Sequence, residues 1–138
     1  MAITLKIELP DGPIVIDRLK SVILQAPDGE MGILPGHLPL VGLVDVGILT
    51  AVAADSRERF VTGSGMLWVA DDRVTVLLLD LVAEKDIDAA AAKQLLADAT
   101  AALATHEFAG REEACKELTA DARFAEAQLA LLELGRDG

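Results

Sequence analysis

Apolar and polar residues alternate along the N-terminal part of the chain as they do in β-strands. In residues 3–9 every second residue is apolar, which leaves one apolar face. Shorter apolar segments separated by turn-forming residues follow at 14–16, 22–24, 47–52, 58–62, 66–70 and 74–79. Many short strands with frequent turns are typical of an antiparallel sandwich or barrel. The run 77–82 is apolar on both faces, which favours a position between two layers.

Helical spacing replaces this alternation in the C-terminal part. Asp86 or Asp88 can cap the start of a first helix. Its apolar positions then recur every three or four residues, at Ala92, Leu95, Leu96, Ala99, Ala102 and Leu103. After a break at 105–110, a second helix is predicted from about Arg111 to Glu133, with Gly135 ending it. Both apolar stripes are narrow and rich in alanine, so we expect a closely packed antiparallel hairpin that is weakly stable unless docked.

Composition places the boundary between these two parts near residues 82–88. All five prolines lie in the first 39 residues, whereas alanine rises from 7 in residues 1–83 to 16 in residues 84–138. Turn formers dominate the first part and the best helix former dominates the second. The sequence therefore predicts a mainly β, α+β fold with a β domain at 1–84 and a helical domain at 85–138.

Charge and hydropathy exclude several classes of partner. The net charge of −11 disfavours nucleic acid and anionic membranes. The longest stretch without a formally charged residue, 31–44, is too short to cross a bilayer. The first ten residues lack the pattern of a signal peptide, and a single cysteine, Cys115, fits a reducing compartment. We expect a soluble, intracellular protein without direct membrane insertion.

The usual catalytic motifs are absent from the sequence. It contains no phosphate-binding G-x-x-x-x-G-K loop, no G-x-S-x-G nucleophile motif and no H-E-x-x-H metal motif. His37, His106 and Cys115 are too scattered to suggest a metal site. We therefore predict no catalytic residue, no cofactor and no metal.

The segment 29–40 is the least ordinary part of the chain. It combines three glycines with two prolines, which predicts a tightly specified loop, but it carries too many apolar residues for a solvated turn. The loop is either a sandwich corner packed on its own core or a shaped contact surface. Trp68 poses the same question, because it alternates with Leu67 and Val69, so that only one set can face the core.

These residues carry a resemblance to a known family. The stretch GEMGILPGHLPLVGLVDVG, residues 29–47, resembles the signature loop of the epsilon subunit of F-type ATP synthases, which is called delta in mitochondria. Residues 63–69 and 73–78 are similar to two further strands of that family, and an alanine-rich hairpin follows as it does there. The resemblance implies an N-terminal antiparallel β-sandwich of about ten strands followed by a C-terminal antiparallel helical hairpin.

The resemblance also implies a role in a rotary motor. The chain would be a non-catalytic central-stalk subunit of a proton-translocating enzyme, bound to the gamma subunit and the c-subunit ring. Its hairpin would reach the alpha/beta catalytic head only transiently. Glu30, Gly36, His37 and Leu38 would contact the c-ring, and Trp68 would lie at the gamma interface. The implied location is peripheral, on the cytoplasmic face of a bacterial inner membrane or its organellar equivalent.

Two departures from the family bear on regulation. ATP-binding members carry an [IL]-D-x-x-R-A motif, and Ala91 stands at its arginine position here. The second helix carries Arg111, Lys116 and Arg123 against six acidic residues, which weakens docking on an acidic segment of the catalytic head. We therefore expect no ATP binding and weak or absent inhibition. A stand-alone protein-binding sandwich and a nucleotide-sensing module are the alternative interpretations.

Overall fold

The computed structural model describes residues 2–105 and 112–137, which form a β-rich part followed by two helices. The strands are β1 (Ile3–Glu8), β2 (Ile14–Ala26), β3 (Gly29–Ile33), β4 (Leu40–Val44), β5 (Gly47–Ala53), β6 (Arg57–Thr62), β7 (Gly65–Ala70), β8 (Arg73–Leu78) and β9 (Leu81–Ala83). A 3-10 turn at Glu84–Asp86 leads into α1 (Ala89–Thr105) and α2 (Glu112–Asp137). The predicted mainly β sandwich with a helical hairpin is confirmed.

The nine strands of the described residues form one mixed sheet. Their order is β4-β7-β8-β1-β2-β5-β6-β9, and β3 pairs separately with β2. The other pairs are antiparallel, but β1 and β8 run parallel from Thr4 beside Arg73 to Glu8 beside Leu77. The predicted antiparallel sandwich of about ten strands thus has nine strands in the described residues, with β1–β8 as its one parallel pair. Parallel neighbours need a long crossover, and residues 9–72 supply it by building most of the sandwich.

The long strand β2 joins the halves of the sandwich. The sequence predicts two short strands at 14–16 and 22–24, whereas the structure has one strand of 13 residues. Its first half pairs with β1 and its second half with β3 and β5. Both its pairing registers shift near Leu19, next to Arg18 with φ of 61°. The irregularity that divides the pattern in the sequence is therefore a bulge within one strand.

The sandwich core is made of bulky side chains from the strands. The buried cluster comprises Ile3, Leu5, Ile7, Leu19, Val22, Leu24, Ile33, Val44, Leu49, Ala51, Phe60, Leu67, Val69, Val74, Val76 and Leu78. Met31 and Leu40 pack against it from either side of the candidate loop. Both ends of that loop are thus anchored in the core.

Two predictions for the strand region need correction. Residues 29–40 are a loop only in part, because β3 and β4 occupy their two ends. The run 77–82 is not one strand between layers, since β8 ends at Leu78 and β9 begins at Leu81. Leu77 and Leu79 are exposed, and Leu78 between them is buried. Exposed and buried side chains therefore alternate at the end of β8, and the segment is not buried on both faces.

The helices begin as predicted and end differently. Asp88 caps α1, because its Oδ1 accepts a hydrogen bond from the Ala91 N–H at 3.1 Å. The second helix does not stop at Gly135 but continues to Asp137. A Cβ at Gly135 would come within 3.1 Å of Glu84 Oε2, so this glycine serves a close approach to the sandwich. Residues 106–111, which include most of the predicted break and Arg111, lie outside the described residues.

The two helices pack mainly on each other, and α2 also contacts β5, β6 and the 3-10 turn. The buried residues of the described helices are Ala92, Ala99, Ala125, Gln128 and Leu131. Small residues thus let the helices approach closely, as the alanine stripes predict. Neither described helix is both long enough and apolar enough to span a bilayer.

Candidate interaction surfaces

A tight turn shapes the middle of the candidate loop. The Leu34 carbonyl accepts a hydrogen bond from the His37 N–H at 3.1 Å, with Pro35 and Gly36 between them. Gly36 has φ of 81°, as expected for glycine at the third position of a type II turn after proline. A Pro-Gly pair in the sequence predicts such a turn with a positive φ at the glycine. This turn gives the loop one defined backbone conformation.

The apolar residues of the loop divide into anchors and exposed groups. Ile33 is buried, whereas Leu34 and Leu38 are 62% and 79% exposed. The half-buried His37 ring contacts the Leu38 carbonyl through Nδ1 at 2.7 Å. Because a carbonyl only accepts hydrogen bonds, Nδ1 carries the hydrogen in this contact. The ends of the loop are therefore a packed corner, whereas its tip presents apolar surface, and its role as a contact surface stays a prediction.

Two of the predicted contact residues lie apart from this tip. Glu30 is on the exposed face of β3, where it pairs with Gln25 of β2. Trp68 lies on β7, with Leu67 and Val69 buried beneath it, and is 41% exposed. The structure thus brings Gly36, His37 and Leu38 together in one loop and leaves Glu30 on the strand that leads into it.

Trp68 belongs to an exposed apolar patch on strands β4, β7 and β8. Val41 lies beside Trp68 across the β4–β7 pair, and Leu43 lies beside Met66. Met66 in turn lies beside Leu77 of β8. All five side chains are exposed although apolar, which is unusual for neighbouring positions on one face. We call these five residues the outer patch.

Two ion pairs lie near the junction between the sandwich and the helical hairpin, and one of them joins α2 to the sandwich. Arg123 of α2 donates to both carboxylate oxygens of Asp45, at 3.1 and 2.9 Å, across the β4–β5 turn. Arg59 of β6 likewise donates to both oxygens of Glu84, at 2.8 and 2.7 Å. Such two-point pairing is the strongest geometry for arginine and carboxylate.

These pairs shift the ionisation of all four groups. The hydrogen bond from Arg123 holds the pKa of Asp45 below its ordinary value, and Arg59 does the same for the pKa of Glu84. The paired carboxylates raise the pKa of Arg123 and of Arg59. Each pair is therefore fully charged near neutral pH, and both weaken only in acid.

Comparison with known proteins identifies the family. A family model described as the ATP synthase Delta/Epsilon chain, beta-sandwich domain, matches residues 2–84. The ATP synthase epsilon chain of Prochlorococcus marinus (strain MIT 9313) is 32% identical over 128 residues, which cover 93% of this chain and 95% of that protein. The chain belongs to this epsilon-chain family. The epsilon chain of Anoxybacillus flavithermus is 36% identical over 92 residues, covering 65% of this chain and 69% of the relative.

Solved structures agree with the fold. A chain of the Euglena gracilis mitochondrial ATP synthase superposes with a TM-score of 0.80 at 23% identity, covering 95% of this chain and 81% of that one. A chain of the Tetrahymena thermophila mitochondrial ATP synthase central stalk and c-ring gives a TM-score of 0.60 at 12% identity, covering 91% and 96%. The family model and the Prochlorococcus relative thus confirm the family predicted from the 29–47 stretch, and the solved structures confirm its fold.

Most of the outer patch and both ion pairs could not be predicted from the sequence. Strands β4 and β7 do carry a local signal, since Val41 and Leu43 are two positions apart, as are Met66 and Trp68. Only the pairing of the two strands shows that these residues share one face of the sheet. The ion pair between Arg123 and Asp45 joins residues far apart in the chain, and neither residue is distinctive locally. Among the described residues, no group of His, Cys, Asp and Glu is arranged to hold a metal ion.

Proposed function

We propose that this epsilon-family chain is the central-stalk subunit of a rotary ATP synthase, which couples rotation of a c-ring to the catalytic head. Family membership across nearly the whole length of a relative is the observation that carries the proposal. The chain would be a non-catalytic subunit, at the cytoplasmic face of a bacterial inner membrane or the equivalent organellar side.

The loop tip is the proposed c-ring contact. Leu34 and Leu38 expose apolar surface from a turn whose conformation is defined by a hydrogen bond and by Gly36. A rigid apolar tip loses little conformational entropy when it binds, which favours a stable contact between rotating parts. His37 and Glu30 would add polar contacts at its rim.

The outer patch is the proposed gamma interface. It places Trp68 among four further exposed apolar side chains, and a buried tryptophan surrounded by apolar neighbours is a strong anchor in protein interfaces. A tightly held partner would remove this apolar surface from water.

The hairpin is proposed to stay folded on the sandwich. Arg123, one of the basic residues that could meet an acidic segment of the catalytic head, is instead paired with Asp45 within the chain. Ala91 offers no charge to a phosphate, and Asp88 is engaged as the helix cap. These contacts support a bracing role and argue against ATP binding.

Coexpression with gamma and c subunits from the same organism tests the proposal. The wild-type chain should copurify with gamma, whereas Leu43→Asp should weaken that association about 30-fold, because it buries a charge in the outer patch. The matched control is Leu134→Asp, which alters an exposed leucine on α2 away from the patch. Failure of the wild-type chain to bind gamma would favour a stand-alone module instead.

A further inference from the structure

The loop tip is tied to a distant turn by one side chain. The Gly36 N–H donates to Asp72 Oδ1 at 2.7 Å, across 36 positions of sequence. Asp72 lies in the turn between β7 and β8, where it and Asp71 have φ of 60° and 52°. A type II turn leaves the N–H of its third residue unpaired, so Gly36 needs an acceptor from outside the turn. The Asp72 carboxylate is that acceptor.

The turn that holds Asp72 is itself fixed to the centre of the sheet. The Asp72 carbonyl accepts a hydrogen bond from the Thr4 N–H at 3.0 Å, at the start of the parallel β1–β8 pair. Thr4 Oγ1 donates in turn to Asp17 of β2 at 3.0 Å. Asp72 thus connects the loop tip to the central strand β1. The loop is also anchored at its two ends, by β3 and β4.

We propose that Asp72 is a positioning residue for the c-ring contact. It holds the Gly36 turn in the orientation that presents Leu34 and Leu38 and transmits torque from the loop to the sheet. The inference rests on the proposed function of the loop. A hydrogen bond to a charged acceptor at 2.7 Å is stronger than one between neutral groups. Its removal should therefore loosen the turn without unfolding the sandwich.

Two neighbouring aspartates make a matched pair of variants. Asp72→Ala and Asp71→Ala both place alanine at a positive φ and pay the same backbone strain, but only Asp72 bonds to Gly36. Asp72→Gly removes the carboxylate while relieving that strain. Asp72→Asn keeps an acceptor at Oδ1 and tolerates the left-handed conformation, so it should restore the contact.

Amide NMR of the full chain gives the first measurement. In Asp72→Ala and Asp72→Gly the Gly36 amide signal should move upfield and its hydrogen exchange should become about tenfold faster. Asp71→Ala and Asp72→Asn should leave both near the wild-type values. An unchanged Gly36 amide in Asp72→Gly would overturn the proposal, because the bond would not then order the turn.

The second measurement is proton pumping per ATP hydrolysed, in membranes that contain the assembled enzyme. Asp72→Ala and Asp72→Gly should lower coupling at least about twofold relative to Asp71→Ala, and Asp72→Asn should rescue it. Equal coupling in Asp72→Gly and Asp71→Ala would overturn the positioning role. Leu38→Asp separates the two proposals, since it alters the tip without touching Asp72. If Leu38→Asp leaves coupling and assembly intact, the c-ring contact itself is wrong.

Discussion

The sandwich and the helical hairpin are held together by different forces. The sandwich buries large side chains such as Leu5, Leu24 and Leu67 in one continuous cluster. The described hairpin buries three alanines and Leu131 as its apolar groups, and none of these belongs to that cluster. Burial free energy scales with the apolar area removed from water, so most of the stability resides in the sandwich.

Electrostatic contacts supplement the weak apolar packing between the two regions. The Arg123–Asp45 pair links α2 to the β4–β5 turn, and the Arg59–Glu84 pair lies where α2 comes close at Gly135. Such contacts are screened by salt, so we expect docking of the hairpin to depend on ionic strength more than the apolar core does.

The largest expected effect compares one fully buried leucine from each region. Leu67→Ala should lower the free energy of unfolding by about 3 kcal/mol, since it leaves a cavity in a core that cannot collapse. Leu131→Ala should instead speed hydrogen exchange in α1 and α2 while changing sandwich stability by less than about 0.5 kcal/mol. Denaturant unfolding together with amide exchange checks both. Equal global losses would mean that the two regions share one core.

A second test asks whether the loop tip shares the rigidity of the sandwich. Gly36→Val should destabilise the turn by about 1–2 kcal/mol, because a branched side chain is strained at φ of 81°. Open space surrounds the added Cβ there, so backbone strain alone is tested. Gly32→Val is the control, since Gly32 also faces open space but lies in β3 without a positive φ. Retention of the protein on the membrane sector should fall for Gly36→Val alone.

The ion pair predicts a smaller, pH-dependent effect on the hairpin. Arg123→Ala should weaken docking of α2 by about 0.5–1 kcal/mol at neutral pH, within the range of partly exposed pairs. Because folding lowers the pKa of Asp45, the stabilisation is present above its ordinary value of 3.8 and is lost as pH falls through the lower folded value. Fluorescence transfer between probes on α2 and β5 measures docking.

The appropriate control for that pair is Arg73→Ala, which removes an exposed arginine on the sandwich that has no ion pair with α2 among the described residues. It should leave docking unchanged at every pH. If the wild type and Arg123→Ala show the same loss of docking down to pH 3, then apolar contacts hold the hairpin and the Arg123–Asp45 pair does not.

Removal of the hairpin should have the smallest effect. Residues 1–84 are expected to unfold cooperatively by themselves, since the buried cluster lies within them. If the hairpin stays folded in the intact enzyme as proposed, ATP hydrolysis should change less than about twofold when the chain is shortened after Lys85. Several-fold activation that persists at low salt would contradict this. Inhibition would then depend on apolar contacts of Leu118, Leu129 and Leu132.

Local features of the fold could be predicted because their causes are local. Alternation over residues 3–9 depends only on side chains two positions apart, and it predicted β1 to within one residue. Asp88 caps α1 by a bond to a residue three positions on, and the Pro-Gly pair sets the positive φ of Gly36. Strand β3 could not be predicted, because pairing with β2 overrides the tendency of its glycines to form turns. The end of α2 could not be predicted either, because Gly135 allows a close approach to Glu84 and does not end the helix.

The sequence by itself determined the two structural regimes, the Pro-Gly turn and the family. Tertiary structure alone decided which surfaces those elements form. Pairing of β4, β7 and β8 assembles the outer patch from segments that look unremarkable separately. The Asp72–Gly36 and Asp45–Arg123 contacts likewise join residues 36 and 78 positions apart. Hydrogen bonds and ion pairs act only over a few ångströms, so their partners are set by chain topology, which no local pattern encodes.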